Sequence, residues 1–252
     1  MTRRQFAEIL GGITMSSASA AAEPRTRFYL MQTFYLRHGT QLQRLHDYLE
    51  GTLIPEMSRK HQGSKIALEA IVAAHLPQVV FVSGHSSLED LRAQQAEMCS
   101  AGFQAWEQGE EAPYEKYSMT LLEATPYSPE VVIPSAAPAA KRRIFELRVY
   151  HSPTWRQLAA LHDRFAGPEI KIFHRVGIHP ILYTQTLMGS DMPNLTYLIP
   201  FENLAAREKA WDAFASDPEW IKVRQESIER YGQIASINQI SLFRATAYSP
   251  VQ

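Results

Sequence analysis

The stretch "LHDRF", Leu161 to Phe165, has a near copy, "LHDYL", 116 residues earlier at Leu45 to Leu49. The same offset relates "FELRVYH", which begins at Phe145, to "YLMQTFY", which begins at Tyr29. It also relates "PNLTYL" to "PQVVFV", and the two halves close on "ATAYSP" and "ATPYSP", which are 121 residues apart. Four similar segments in the same order indicate that the chain is a tandem repeat of one unit.

The repeat sets the expected domain boundaries. Between the copies lies "SPEVVIPSAAPAAKRR", a segment rich in proline and alanine that is typical of an extended linker. We therefore predict an export signal at residues 1–24, a first unit at 25–128, a linker at 129–142 and a second unit at 143–252. Each unit is about the size of a small domain.

Within each unit the pattern is β-α-β-β-α-β. In the second unit, residues Ile144 to Tyr150 alternate as a strand does, and Ser152 is a plausible N-cap for the helix that follows. This order is typical of the ferredoxin-like arrangement, a four-stranded antiparallel sheet with helices on one face. The other face also needs cover. The predicted fold class is therefore α+β, with two tandem ferredoxin-like units packed sheet-on-sheet.

Composition and charge limit the kinds of partner that the protein is expected to bind. The 252 residues contain 25 basic and 26 acidic side chains, for a formal net charge of −1. No field of one sign would draw this chain to nucleic acid or to an anionic membrane, so neither is predicted as a partner. The single cysteine, Cys99, excludes an internal disulfide.

The N-terminus has the parts of an export signal. Arg3 and Arg4 precede a short, weakly apolar run and then the small residues of "SSASAAAEP". The order Thr-Arg-Arg-x-Phe is similar to twin-arginine signals, with cleavage expected near Ala20 or Ala22. The apolar run is too short to span a bilayer. We expect a periplasmic or otherwise exported protein without a permanent membrane anchor.

Sequence signatures of well-known catalytic sites are absent. The chain contains no GxSxG, HExxH, P-loop or GxGxxG motif and no cysteine pair. His174 and His179 are close in the sequence, but Gly177 between them breaks the helical spacing that would join them as ligands. No metal site is predicted.

The polar residues that attract attention lie inside strands. Glu146, Arg148 and Tyr150 share one face of the first strand of the second unit, and Tyr183 and Gln185 share a face of the next strand. We expected the first group to face the partner sheet, where a buried charge must be paired. Two interpretations stay open: an ion pair that fixes strand register, or a ligand pocket formed by Glu146, Arg148, Tyr150 and Gln185 in which the guanidinium holds an anionic or enolic oxygen.

Two further side chains are candidates for proton transfer. His162 lies on the inward stripe of the first helix of the second unit, whereas the adjacent Asp163 points about 100° away and cannot form a dyad with it. Tyr183 lies on a strand of the same unit. His162 and Tyr183 are therefore the predicted catalytic residues, with a satisfied core histidine as the alternative for His162.

At this level of detail the second unit resembles the NIPSNAP family. The similar residues are "FELRVY" at Phe145 to Tyr150, then Arg207, Trp211 and Phe214, and then the corner Asp217-Pro218-Glu219-Trp220. The resemblance implies a dimeric α/β-barrel fold of the ferredoxin-like superfamily. Some positions depart from the family pattern, since a His-Gly pair is replaced by Val176-Gly177.

The functional prediction follows from these features together. We expect an exported protein that binds a small molecule in a pocket of the C-terminal unit, with or without an oxygenase, isomerase or lyase type of activity. One alternative is a non-catalytic scaffold that docks a partner through its outer helices. Another is a haem-binding protein with His162 or His174 as the axial ligand, although no cofactor is predicted. A homodimer formed through exposed strand edges is also expected.

Overall fold

The computed structural model of the protein describes residues 25–98, 101–109, 111–132 and 143–252. The predicted export signal at 1–24, the single cysteine Cys99 and most of the predicted linker lie outside the described residues. Within the described ranges, no helix is long and apolar enough to cross a membrane.

The order of elements repeats in the two halves of the chain. The strands are β1 (Phe28–Tyr35), β2 (Lys65–Val72), β3 (Gln78–His85), β4 (Lys116–Ala124), β5 (Ile144–His151), β6 (Leu182–Met188), β7 (Asn194–Phe201) and β8 (Ile237–Ala245). The helices are α1 (Gln41–Tyr48), α2 (Ile54–Lys60), α3 (Leu88–Met98), α4 (Ala101–Glu107), α5 (Trp155–Arg164), α6 (Ile170–Arg175), α7 (Leu204–Ser216) and α8 (Pro218–Tyr231). A π-helical turn joins α1 to α2 at Leu49–Leu53, and another joins α5 to α6 at Phe165–Glu169.

The eight strands form one closed antiparallel barrel in the order β1-β3-β2-β8-β5-β7-β6-β4. The order within the first half, β4-β1-β3-β2, matches the order β8-β5-β7-β6 within the second half. Pairing of β2 with β8 and of β4 with β6 joins the halves. The two sheets therefore face each other, as expected, and are also bonded along both edges.

Closure of the barrel removes the strand edges on which the expected dimer relied. Every strand has two hydrogen-bonded neighbours, so within the described residues no edge of these eight strands is free to pair with a second chain. The prediction that two chains associate through exposed strand edges is wrong for this barrel.

The three largest groups of buried apolar side chains among the described residues form separate layers. The barrel interior contains Phe145, Leu198 and Phe243 with their neighbours from both halves. A second layer, here called the helix-facing layer of the second half, lies between its sheet and α5 to α8 and includes Phe165 and Phe173. A third packs α1 and α2 on the first half.

The first residues of two helices are fixed by side-chain caps. Asp217 caps α8, since its Oδ1 accepts from the backbone N–H groups of Glu219 and Trp220. Ser152 is not the N-cap of α5, because its hydroxyl donates instead to the carbonyl of Ile234 at 2.6 Å. Thr154 caps α5 and accepts from the backbone N–H of Gln157.

Candidate functional site

The charged residues of β5 form a bonded cluster against α7. Glu146 is fully buried, and its carboxylate accepts from Arg148, from Arg207 and, at 3.1 Å, from the indole N–H of Trp211. The Arg148 guanidinium lies 3.6 Å from the Trp211 ring centroid and donates to the Tyr150 hydroxyl at 2.7 Å. Each carboxylate oxygen therefore has at least one charged donor, which is what a buried carboxylate requires.

This cluster points in the direction opposite to the expectation. Phe145 belongs to the barrel interior and Leu147 packs against it, whereas Tyr150 belongs to the helix-facing layer. Glu146 and Arg148 therefore face α7 and not the partner sheet. The physical reason is that Arg207 and Trp211 on α7 supply the donors for Glu146.

His162 occupies the helix-facing layer and contacts a tyrosine from the other half of the chain. Its Nδ1 lies 2.7 Å from the Tyr127 hydroxyl, and burial lowers the pKa of the imidazole. His46, the equivalent residue in the first half, has its Nδ1 2.6 Å from the Tyr248 hydroxyl. The two Tyr-Ser-Pro segments thus cross over, each ending one half and packing on the first helix of the other.

Tyr183 lies beside this pair. Its side chain is 1% exposed, and its hydroxyl has no hydrogen-bond partner among the described residues. Burial, followed by the nearby Glu169, raises the pKa of the phenol. Burial also raises the pKa of Glu169 to about 7, against the opposing effect of Arg164, whose Nε donates to it at 2.7 Å. Glu169 is therefore the group of this pair that titrates near neutral pH, whereas the raised pKa keeps Tyr183 protonated.

The helix-facing layer brings the predicted residues together but leaves little room beside them. The Tyr127 ring lies 5.4 Å from the Tyr183 ring and 6.0 Å from the His162 ring, centroid to centroid. Phe165 and Tyr197 pack on Tyr183 at 5.8 Å each. Gln185 is only partly buried and donates to Glu123 at 3.2 Å, at the junction of β6 with β4.

The haem alternative does not fit these surroundings. Axial ligation by His162 needs open space at a ring nitrogen. Nδ1 is bonded to Tyr127, and Nε2, which has no hydrogen-bond partner among the described residues, is buried in a layer filled by Phe165 and Tyr183, both at most 1% exposed. His174 lies on the exposed surface of α6, where its ring stacks on His179 at 5.1 Å. As a separate finding about directly bound metal ions, the described residues contain no group of three His, Cys, Asp or Glu side chains arranged to hold one.

An open cavity lies elsewhere, inside one end of the barrel. It has a volume of about 170 Å³, opens to solvent and is lined by residues from both halves of the chain. Its floor includes Met31, Val80 and Phe243, which also pack in the apolar interior. We call it the barrel-mouth cavity. The six residues predicted from the sequence as site residues do not line it.

The barrel-mouth cavity exists because inward-facing residues change character along the strands. On β4 the inward series runs from Leu122 through Thr120 to Ser118, and on β8 from Phe243 through Ser241 to Gln239. Strands β1, β3, β6 and β7 change from apolar to polar toward the same end, at Thr33, Gln78, Thr186 and Thr196 with Asn194. The cavity therefore has an apolar floor and a polar end that is open to solvent.

Several polar groups of the cavity are available to a ligand. The side chains of Thr33, Gln78, Thr120, Gln239 and Ser241 make no hydrogen bond to other residues in the part of the chain that the structure describes. Only one charged side chain, that of Asp191, belongs to the lining. The cavity can therefore hydrogen-bond a polar molecule but cannot neutralise an anion.

The clustering of these polar residues cannot be seen in the sequence alone, for a structural reason. Polar residues come late in β1 and β6 but early in β3, β4, β7 and β8, because neighbouring strands are antiparallel. Their clustering becomes visible only once the strand register is known. The signal that the sequence does contain is a threonine or serine at inward-facing positions of several of these strands.

A second polar cluster lies in the first half, under α3. His85 is buried, its Nε2 lies 3.0 Å from the Ser83 hydroxyl, and its Nδ1 lies 3.4 Å from Asp90. The charged groups around it are Asp90, His61, bonded to Asp90 at 3.0 Å, and Lys65. Burial lowers the pKa of His85 to about 4, so the imidazole is neutral at physiological pH.

This depressed pKa predicts acid sensitivity. In the unfolded chain histidine has a pKa near 6.5, so stability from neutral His85 is complete above that value and is lost as pH falls toward 4, by about 3 kcal/mol in all. His85→Phe, which introduces the residue found at the equivalent Phe201, should remove most of this pH dependence. Urea unfolding at pH 7.5 and 4.5 measures it. An equal acid loss in both proteins would contradict the assignment.

An eight-stranded antiparallel barrel with helices outside both sheets is the fold of the dimeric α/β-barrel class. A candidate monooxygenase from Fusobacterium nucleatum shares this fold with a TM-score of 0.59 at 7% identity, over 88% of this chain and 93% of that one. Another from Lactobacillus acidophilus gives 0.53 at 8% identity, over 88% and 94%. A chlorite dismutase variant from Candidatus Nitrospira defluvii gives 0.51 at 12% identity, over 89% and 93%.

At the level of sequence, residues 145–250 match the NIPSNAP family model. The matched segment is the second half of the chain, which contains the Glu146 cluster and the motifs quoted for the resemblance. No curated protein matches the sequence significantly. The solved structures, at these low identities, establish the fold and not the activity.

Proposed function

We propose that this protein binds a small, uncharged molecule in the barrel-mouth cavity. The observation that carries the proposal is the change of inward side chains from apolar to polar on six strands at the same end of the barrel. An apolar floor below hydrogen-bonding walls is the usual make-up of a small-molecule site. The sequence predicts a pocket in the C-terminal unit, whereas the site proposed here lies in the barrel, between the two halves.

The size of the cavity limits the ligand. A volume of about 170 Å³ lies below the range for drug-sized ligands. A molecule on the order of ten non-hydrogen atoms would fill it. The apolar end of such a ligand would lie on Met31 and Phe243, and its polar groups would meet the threonine and serine hydroxyls above them.

Catalysis is a second candidate function. The buried Glu169 carboxyl, with a pKa raised to about 7, favours proton transfer in the helix-facing layer, where His162 and Tyr183 would take the roles predicted from the sequence. An oxygenase, isomerase or lyase type of activity would use such groups. The packed rings around them favour binding in the barrel over this candidate. The scaffold alternative stays a prediction, and the exposed apolar residues Ile221 and Ile228 of α8 are ones that it would use.

The remaining sequence-based predictions complete the proposal. Export through a twin-arginine-like signal rests on Arg3, Arg4 and the small residues before position 24. The matching order of strands supports descent from a duplicated ferredoxin-like unit. A homodimer stays a prediction and would have to form through helices or loops.

Methyl NMR with a panel of neutral compounds of roughly six to ten non-hydrogen atoms tests the site. Compounds that bind should shift the methyl resonances of Met31 and Val80, which line the cavity. They should leave the methyl resonances of Leu161 and Ile172, in the helix-facing layer, unchanged. A panel that shifts only the second set, or neither set, would contradict the proposed function.

A further inference from the structure

Asn194, at the start of β7, has an orientation fixed by its surroundings. The residue is 1% exposed, and its Nδ2 lies 2.9 Å from the backbone carbonyl of Asp191 and 3.4 Å from that of Ser190. A backbone carbonyl can only accept a hydrogen bond. The amide nitrogen must therefore point toward these two carbonyls, and Oδ1 must act as the acceptor on the other side.

Asn194 Oδ1 accepts hydrogen bonds from two threonines that line the cavity. The Thr186 hydroxyl donates to Asn194 Oδ1 at 2.8 Å, and the Thr196 hydroxyl donates to the same atom at 3.1 Å. A hydroxyl has one proton, so each threonine has only oxygen lone pairs left for the cavity. The wall formed by β6 and β7 can therefore accept hydrogen bonds from a ligand but cannot donate them.

The first half of the chain has no counterpart of this arrangement. At the offset of 116 residues, Gln78 replaces Asn194, Ala70 replaces Thr186 and Val80 replaces Thr196. The wall formed by β6 and β7 can therefore only accept hydrogen bonds, whereas the equivalent positions of the first half do not have this restriction. Asp191, the one charged lining residue, adds a further group that would repel an anion.

We propose, on the basis of the proposed function, that the ligand is an uncharged hydrogen-bond donor, a hydroxyl compound with an apolar portion. Asn194 is the specificity-determining residue, because it sets the direction in which two threonines bond. A carbonyl compound of the same shape cannot donate to the β6–β7 wall and would have to turn its oxygen toward the free donors on other strands, such as Thr33 and Gln78. A carboxylate would also lack a cation to pair with.

A matched pair of probes tests this specificity. The alcohol 1-phenylethanol and the ketone acetophenone have nearly the same size, but only the alcohol can donate a hydrogen bond. Titrations followed by the Met31 and Val80 methyl resonances should give a dissociation constant about tenfold lower for the alcohol, because only the alcohol can donate a hydrogen bond to the wall formed by β6 and β7. Benzoate should produce no shift.

Variants separate the role of Asn194 from general effects on the fold. In Asn194→Ala the two threonine hydroxyls become free to rotate and donate, so the preference for the alcohol should fall to within about twofold. The double variant Thr186→Val, Thr196→Val keeps the shape of the wall and should abolish the same preference. Thr33→Val, on β1 and outside this wall, removes a donor that both probes can reach and should weaken both to a similar extent.

The outcomes are distinct. If both probes shift the cavity resonances equally in the natural protein, the proposed specificity is wrong while the barrel site stands. If neither probe shifts them, the proposed function itself is contradicted. An alcohol preference that survives in the double valine variant would also overturn the role of Asn194.

Discussion

Replacing Glu146 with glutamine should lower the free energy of unfolding by about 3 to 5 kcal/mol, the cost of breaking a buried ion pair by removing one partner. The carboxylate is fully buried and is shared by Arg148, Arg207 and the Trp211 indole. An amide would leave both guanidinium groups without a counterion and would direct N–H donors toward them. Urea unfolding at pH 7 measures the effect.

The matched control is Glu123→Gln. Glu123 pairs with Arg27 at 3.0 Å, but the arginine side chain is 65% exposed, so the loss should stay below about 1 kcal/mol. Probe binding in the barrel should be unchanged in Glu146→Gln. A small stability loss together with loss of ligand binding would instead favour the ligand-pocket interpretation of Glu146 and Arg148.

Filling the cavity should have the largest effect on binding. Thr120→Trp places an indole on an inward-facing position of β4, where the ring would occupy most of the barrel-mouth cavity. We expect the dissociation constant for 1-phenylethanol to rise at least about 100-fold, which corresponds to a loss of about 3 kcal/mol. Isothermal titration calorimetry or the NMR titration measures it.

Met119→Trp is the control on the neighbouring residue. Met119 is 48% exposed and points away from the barrel interior, so an indole there adds the same bulk outside the cavity. Binding by this variant should match that of the natural protein. Unchanged affinity in Thr120→Trp would mean that the ligand lies elsewhere.

Much of the architecture follows from the sequence because repeats are directly visible. The matched segments around His46 and His162 predict the same order of elements in both halves, and the structure has that order. The resemblance to the NIPSNAP family implied the barrel class, and the comparison with solved structures agrees. Asp217 as an N-cap could be read locally, since a cap involves residues only two or three positions away.

The local sequence does not show which neighbouring layer a strand face contacts. Period-two alternation shows that Glu146 and Arg148 share a face, but not whether this face meets the helices or the barrel. The partners that decide it, Arg207 and Trp211, come about 60 residues later on α7. The crossed contact between Tyr127 and His162 was hidden too, because it joins opposite halves of the chain.

A crystal structure of the protein with 1-phenylethanol is the most direct test of the central claim. The account predicts density for the alcohol inside the barrel, with the phenyl ring on Phe243 and the hydroxyl within hydrogen-bond distance of Thr186 or Thr196. Density in the helix-facing layer beside His162 and Tyr183, with the barrel mouth empty, would contradict it.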